Sequence, residues 1–102
     1  MAQGKLDEAL KAHRDSLAIA ERLAAANRSN TDWQRDLAIS HYNLSVDYEG
    51  QGRFADALRE LIVGRNIMAA LVAIAPGNEQ WKSELVQLEH DIARLQAQAG
   101  AQ

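Results

Sequence analysis

Gln3-Gly4-Lys5-Leu6-Asp7-Glu8-Ala9-Leu10 returns as Gln51-Gly52-Arg53-Phe54-Ala55-Asp56-Ala57-Leu58. The offset is 48 residues and it persists without a gap: Ile19 and Leu23 align with Ile67 and Leu71, and Gly52 aligns with Gly100. Asn30, Trp33 and Leu37 align in the same way with Asn78, Trp81 and Leu85. Self-similarity at a fixed period marks a repeat architecture, in which each unit buries its apolar face against the next. The matched positions are mostly apolar residues at helical spacing, with glycine and asparagine suited to helix ends. What repeats is therefore a structural unit and not a chemical site. The paired tryptophans and glycines in one register separate this match from the chance likeness of two alanine-rich helices.

The chain has 102 residues, which suits one domain of ~100–150 residues. Alanine and leucine, both strong helix formers, lead the apolar residues, and only one proline (Pro76) and six glycines interrupt them. Phe, Tyr and Trp make up 5%, low for a β-sandwich, and no stretch alternates apolar and polar residues between turns. The reading is all-α. Fourteen acidic residues against eleven basic ones argue against general nucleic-acid binding, which needs a basic face. With no cysteine, disulfides, thiolate metal sites and cysteine nucleophiles are excluded. No apolar run approaches the ~20 residues that span a bilayer, and Met1-Ala2-Gln3-Gly4-Lys5 does not open a secretory signal. A cytoplasmic protein with no membrane partner is expected.

Each repeated unit reads as two helices. The first helix is expected over residues 6–26, with Leu6, Leu10, Leu17, Ala20, Leu23 and Ala24 as its core stripe. The turn-prone Asn27-Arg28-Ser29-Asn30 ends it. Asn30 or Thr31 caps the second helix, with Gln34 three residues after Thr31 as in a capping box. That helix runs to about Gly50 with Leu37, Leu44 and Tyr48 facing inward, and Gly50-Gln51-Gly52 supplies a turn. A third helix over 54–75 stops at Pro76-Gly77. Asn78 caps a fourth over 79–98, carrying Trp81, Leu85, Leu88, Ile92 and Leu95. Ser45, Ala57 and Gly64 fall where helices cross, since a bulky side chain there forces the axes apart. Trp33 and Trp81 are expected to cover the core between units rather than to stack on a ligand.

His41-Tyr42-Asn43-Leu44-Ser45-Val46-Asp47-Tyr48 places a leucine, a small residue and a tyrosine at a distinctive spacing. After the turn Gln51-Gly52-Arg53-Phe54, Ala57 and Leu61 stand four apart, and Gln3 to Leu10 has the same pattern. His90, Ile92 and Ala93 weakly echo the earlier stretch. These residues resemble the tetratricopeptide repeat (TPR) family, with its Trp-x2-Leu-Gly-x2-Tyr first helix and Ala-x3-Phe second helix. The family's usual period is about 34 residues, so at 48 both helices are about two turns longer, similar to kinesin light chain-type and many bacterial TPR arrays. The resemblance implies antiparallel helical hairpins stacked as a short α-solenoid of about four long helices. Residues 1–102 would form a single domain: an orphan second helix at 6–26, a full repeat at 30–75 and an orphan first or capping helix at 79–98. Met1 falls where a first helix should end, so the expectation is either a piece of a longer array or a short protein that completes itself by association.

No P-loop, GxGxxG, GxSxG or HExxH motif occurs. His13, His41 and His90 sit on different expected helices, none with a histidine or carboxylate three or four residues on, and are expected at the surface or in a groove. Asp7 with Lys11, and Asp91 with Arg94, are at ion-pair spacing on solvated faces. No catalytic, metal or cofactor site is expected, and the chain reads as a non-enzyme. By resemblance, the first helices of successive repeats line a concave face that holds a protein partner as an extended peptide or a helix. Ile39, Tyr42, Val46 and Glu49 on the second helix and Gln87, His90 and Arg94 on the fourth would face it. Asn43 falls where some members bind a peptide backbone or C-terminal carboxylate, although the completing lysines belong to a preceding first helix. The alternative is that these residues form only the polar side of two helices.

The two copies also differ. Lys11, Asp15, Ala18, Arg22 and Ala26 make a solvated stripe, whereas the equivalent stripe is Arg59, Val63, Asn66, Ala70 and Ile74, and His13 and Arg14 become Leu61 and Ile62. A helix apolar on more than one face needs a second cover. That cover is either the fourth helix or another chain, docked through Leu61, Val63, Ala70 and Ile74 as a homodimer or an adjacent repeat. The expected function is a non-catalytic protein–protein interaction scaffold; the alternative is a structural fragment that self-assembles.

Overall fold

The computed structural model describes the backbone of residues 2–100 and the side chains of residues 4–98. These residues form four helices, α1 (Ala2–Ala26), α2 (Thr31–Gly50), α3 (Phe54–Ile74) and α4 (Glu79–Gly100), with no strand among them. The all-α reading holds. Asn30, in an extended conformation, accepts the Trp33 backbone N–H at 3.0 Å, and Asn78 accepts that of Trp81 at 3.0 Å. The duplicated Asn-x2-Trp is thus one capping device used twice. The cap is Asn30 and not Thr31. Gln34 forms no capping box, because its amide donates to the carbonyls of Ala24 at 3.2 Å and Arg28 at 3.4 Å and so ties down the end of α1.

After α2 the chain reverses at Gly52, whose φ of +74° is open to glycine at little cost. There the Gly52 N–H donates to the Glu49 carbonyl at 3.0 Å and the Arg53 N–H to that of Tyr48 at 2.8 Å. The equivalent Gly4 makes no such turn. It lies within α1, which begins at Ala2, four residues before the expected start, and Met1 lies outside the described residues. Pro76, which cannot continue a helix, follows the end of α3.

Neighbouring helices run antiparallel. Leu6 of α1 lies against Gly50 of α2, while Ala38 and His41 of α2 lie against Gly64 of α3. Each helix packs on its neighbours in the chain, α1 on α2, α2 on α3 and α3 on α4, and α1 does not meet α4. The result is a stack of hairpins measuring 40 × 29 × 17 Å, not a closed four-helix bundle. Its core draws on all four helices, with Leu10, Leu44, Leu61, Met68, Leu88 and Leu95 among its buried members. Trp81 packs on that core and Trp33 lies half-buried beside Ile19 and Leu23 of α1.

The small residues sit where the helices approach most closely. Ser45, Ala57 and Gly64 are buried, and a Cβ added at Gly64 would lie 3.3 Å from the Ala38 carbonyl oxygen and 3.9 Å from Leu88 Cδ2. The glycine therefore relieves crowding against α2, while the Leu88 side of α4 would accept a Cβ in ordinary contact. Leu23, expected in the core stripe, is 42% exposed, whereas its counterpart Leu71 is 2% exposed. The reason is that α3 has a helix on either side and α1 has α2 alone.

The first hairpin differs from the second in one respect that the offset makes visible. His13 Nδ1 hydrogen-bonds the buried carboxylate of Asp47, and Arg14 Nη2 donates to the Tyr48 hydroxyl at 2.9 Å. That hydroxyl raises the Arg14 pKa. The positions equivalent to His13 and Asp47 are Leu61 and Leu95, at 2% and 0% exposure. A polar pair in one copy is replaced by two core leucines in the other.

Two stability outcomes follow. Ala57→Leu overpacks a fully buried crossing and should lower the unfolding free energy by about 1–3 kcal/mol in denaturant titrations. His13→Leu strips a partner from buried Asp47 and should cost about 1–3 kcal/mol. Adding Asp47→Leu reproduces the leucine pair of the second copy and should restore most of that loss. A double variant no more stable than His13→Leu would contradict the equivalence of the two seams.

Candidate interaction surfaces

Arg35, Ile39, Tyr42, Val46 and Glu49 recur at three- and four-residue intervals along α2 and so share one face. On the α4 side of this face a cleft of about 190 Å³ opens, with Ala38, Met68 and Leu88 at its floor and Ile39, Tyr42, Glu84 and Gln87 around it. Ion pairs join α2 and α4 towards either end of this face. Arg35 meets Glu84 through Nε–Oε1 at 2.9 Å and Nη2–Oε2 at 2.5 Å. Arg94 meets Glu49 through Nη1–Oε2 at 2.6 Å and Nη2–Oε1 at 2.9 Å. Each is the bidentate fork that guanidinium and carboxylate geometry favours, and the two are opposite in polarity. The hydrogen bond to Arg94 holds the Glu49 carboxyl below the ordinary carboxylate range against a smaller opposing effect of burial. Hydrogen bonding to Glu84 and to Glu49 in turn raises the Arg35 and Arg94 pKa values.

Of the residues singled out in the sequence, Ile39, Tyr42 and Gln87 come together around this cleft. Val46 extends the α2 stripe at 50% exposure, while Asn43 is half-buried and His90 is 72% exposed on its side chain, neither lining the cleft. Glu49 and Arg94 are joined to each other, so they form a rim instead of presenting free charges. Asp91 departs from expectation. It is buried, accepts a hydrogen bond from Gln87 Nε2 at 3.2 Å, and stands 3.9 Å from Arg94 Nε, whose closer partner is Glu49. The Arg35–Glu84 pair was not foreseen, because its members stand on separate helices far apart in the chain.

Two of the histidines are held by carboxylates of a neighbouring helix: His41 is buried, and His13 lies half-buried between α1 and α2. His41 Nδ1 pairs with Glu60 Oε1 of α3 at 2.8 Å, and His13 pairs with Asp47 of α2. Both partners stand on another helix, out of reach of a search at i+3 and i+4. A histidine oriented by a carboxylate is two-thirds of a nucleophilic triad. Ser45, one turn along from His41, is buried and donates its hydroxyl to the Tyr42 carbonyl at 2.6 Å, which turns it away from that role. Among the described residues no group of three or more His, Asp or Glu side chains could hold a metal ion, and no helix is long and apolar enough to cross a membrane.

A second hollow, of about 720 Å³, lies between α1 and α3. Val63 at 37% exposure, Ala70 and Ile74 at 69% line it, facing Glu21 and Ala24 of α1 and Arg28 of the turn that follows. The fourth helix does not cover these residues. Leu61, expected beside them on an oligomer face, is instead 2% exposed within the core, because it replaces His13 at the inner seam of the hairpin. Comparison of the chain with protein-family models, curated proteins and solved structures finds no match.

The Glu49–Arg94 fork sets a pH dependence. Because the folded carboxyl titrates lower than the unfolded one, its stabilisation is complete above the ordinary carboxylate pKa and lost as pH falls through the lowered value. At pH 6, Glu49→Gln should be less stable than the wild type by about 0.5–1 kcal/mol, the screened worth of a partly exposed pair. As pH falls below the lowered Glu49 value the two should converge in denaturant titrations.

Proposed function

We propose that this chain is a non-catalytic protein-interaction module of tetratricopeptide type that holds a peptide or helix of a protein partner along the α2–α4 face. The observation that carries the reading is the apolar stripe Ile39, Tyr42 and Val46, between 36% and 50% exposed, set between two ion-pair rims. Arg35 and Glu49 are 14 residues apart, so the rims stand roughly 21 Å from each other along the helix. That span suits about four turns of a docked helix or six to seven residues of extended chain. The cleft, at about 190 Å³, is below the roughly 300–1,000 Å³ of small-molecule sites and suits a single apolar side chain of the partner. Recognition then depends on apolar burial, with Tyr42 adding an aromatic face and a hydroxyl. The charged groups on this face are already neutralised by each other, so they shape the site without selecting a charged ligand. The His–carboxylate pairs are taken up in joining helices, which supports the non-catalytic assignment.

Partner capture from cell extract on the immobilised chain tests the proposal. Tyr42→Ala and Ile39→Asp should each weaken retention of a captured protein at least tenfold while leaving the helical circular dichroism unchanged. Val63→Asp, in the other hollow, should leave retention intact. Retention that ignores both cleft variants would sink the assignment of this face.

A further inference from the structure

The internal duplication makes the two ends of the stack complementary halves of an interface already present in the middle. On α2, Ala38, His41, Ser45 and Tyr48 are all buried, and Ala38 and His41 meet Gly64 of α3 while His41 pairs with Glu60. One period later on α4 the same positions are Val86, Glu89, Ala93 and Gln96, and all four are exposed, Val86 at 64%. One period earlier than α3, on α1, the positions of Ala57, Glu60 and Gly64 are held by Ala9, Ala12 and Ser16. These three are small, two of them are exposed, and Ile19 beside them is 51% exposed. In the α2–α3 contact, residue 38 meets residue 64 and residue 41 meets residue 60. The same antiparallel register across two copies sets Val86 opposite Ser16 and Glu89 opposite Ala12.

We propose that a second copy of this chain docks head to tail, with the outer flank of α4 in one copy against the outer flank of α1 in the next. This proposal is independent of the α2–α4 cleft. The occupant is a second copy because the flank that α1 leaves open is the counterpart of one that, on α3, is covered by a helix of α2 type. Within this chain α4 is the other helix of that type. The contact requires no large side chain to enter a closed space, since Ala9, Ala12 and Ser16 keep the helix surface low where Gly64 and Ala57 do so inside the molecule. The interface is heterologous and does not close on itself, so association proceeds into linear oligomers rather than stopping at a dimer. A single helix-on-helix contact of this kind falls in the weak class, below about 1,200 Å² of buried surface. Association therefore depends on concentration.

Sedimentation velocity on the chain, from micromolar to millimolar concentration, supplies the test. The wild type should gain mass continuously without a plateau at the dimer. Val86→Arg closes the α4 end and Ser16→Arg the α1 end. Both residues are exposed, so the helical content of each variant should match the wild type, and each variant alone should sediment as a monomer. Mixed together, each contributes the end that the other has lost, and a one-to-one heterodimer should form. A wild type that stays monomeric at every concentration overturns the proposal. So does association that survives both single variants, which would place the contact elsewhere, or a mixture that stays monomeric while the wild type associates.

Discussion

The stack depends on how closely α3 can lie against both of its neighbours. At Gly64 the helix presents bare backbone to the Ala38 carbonyl on one side and to Leu88 on the other, and Ser45 and Ala57 keep the rest of the central seams low. Close approach is what allows Leu61, Met68 and Leu71 to be almost fully buried. The smaller hollow has Met68 of α3 in its floor and the larger has α3 as one wall, so the packing of α3 helps to shape both.

Duplication followed by divergence explains why the two hairpins share a frame but not a chemistry. The asparagine caps and the half-buried tryptophans are common to both. The seam within each hairpin is not, since His13 and Asp47 occupy the sites of Leu61 and Leu95. A buried carboxylate with its histidine partner adds little net stability over well-packed apolar residues, but leaving the carboxylate without that partner is costly. A polar seam in one hairpin and an apolar one in the other thus distinguish the two α-hairpins, which would otherwise be interchangeable in packing. That asymmetry favours a single order of helices in the stack.

Much of the frame was legible along the chain, and the site was legible in part. Helix ends at Asn30, Gly52, Pro76 and Asn78 are encoded by local chemistry, and Ser45, Ala57 and Gly64 are the small residues that helix crossings require. Ile39, Tyr42 and Gln87, which the family resemblance singles out, stand around one cleft. The partnerships of charge were not legible. Arg35 with Glu84, Glu49 with Arg94, and His41 with Glu60 join residues on different helices, and local spacing says nothing about which helices become neighbours in space. Leu61 was misplaced for a related reason. Comparison with His13 suggested a surface position, whereas His13 itself turns inward to Asp47.

By itself the amino-acid order determined an all-α chain, its four helices, their caps and the existence of two copies, because each of these rests on interactions within a few residues or on a simple periodicity. Only the tertiary structure decided which flanks stay open, which carboxylates are buried and which charges cancel. Those properties depend on the distance and orientation between helices, and small residues at a few crossing points set both through packing that no linear pattern records.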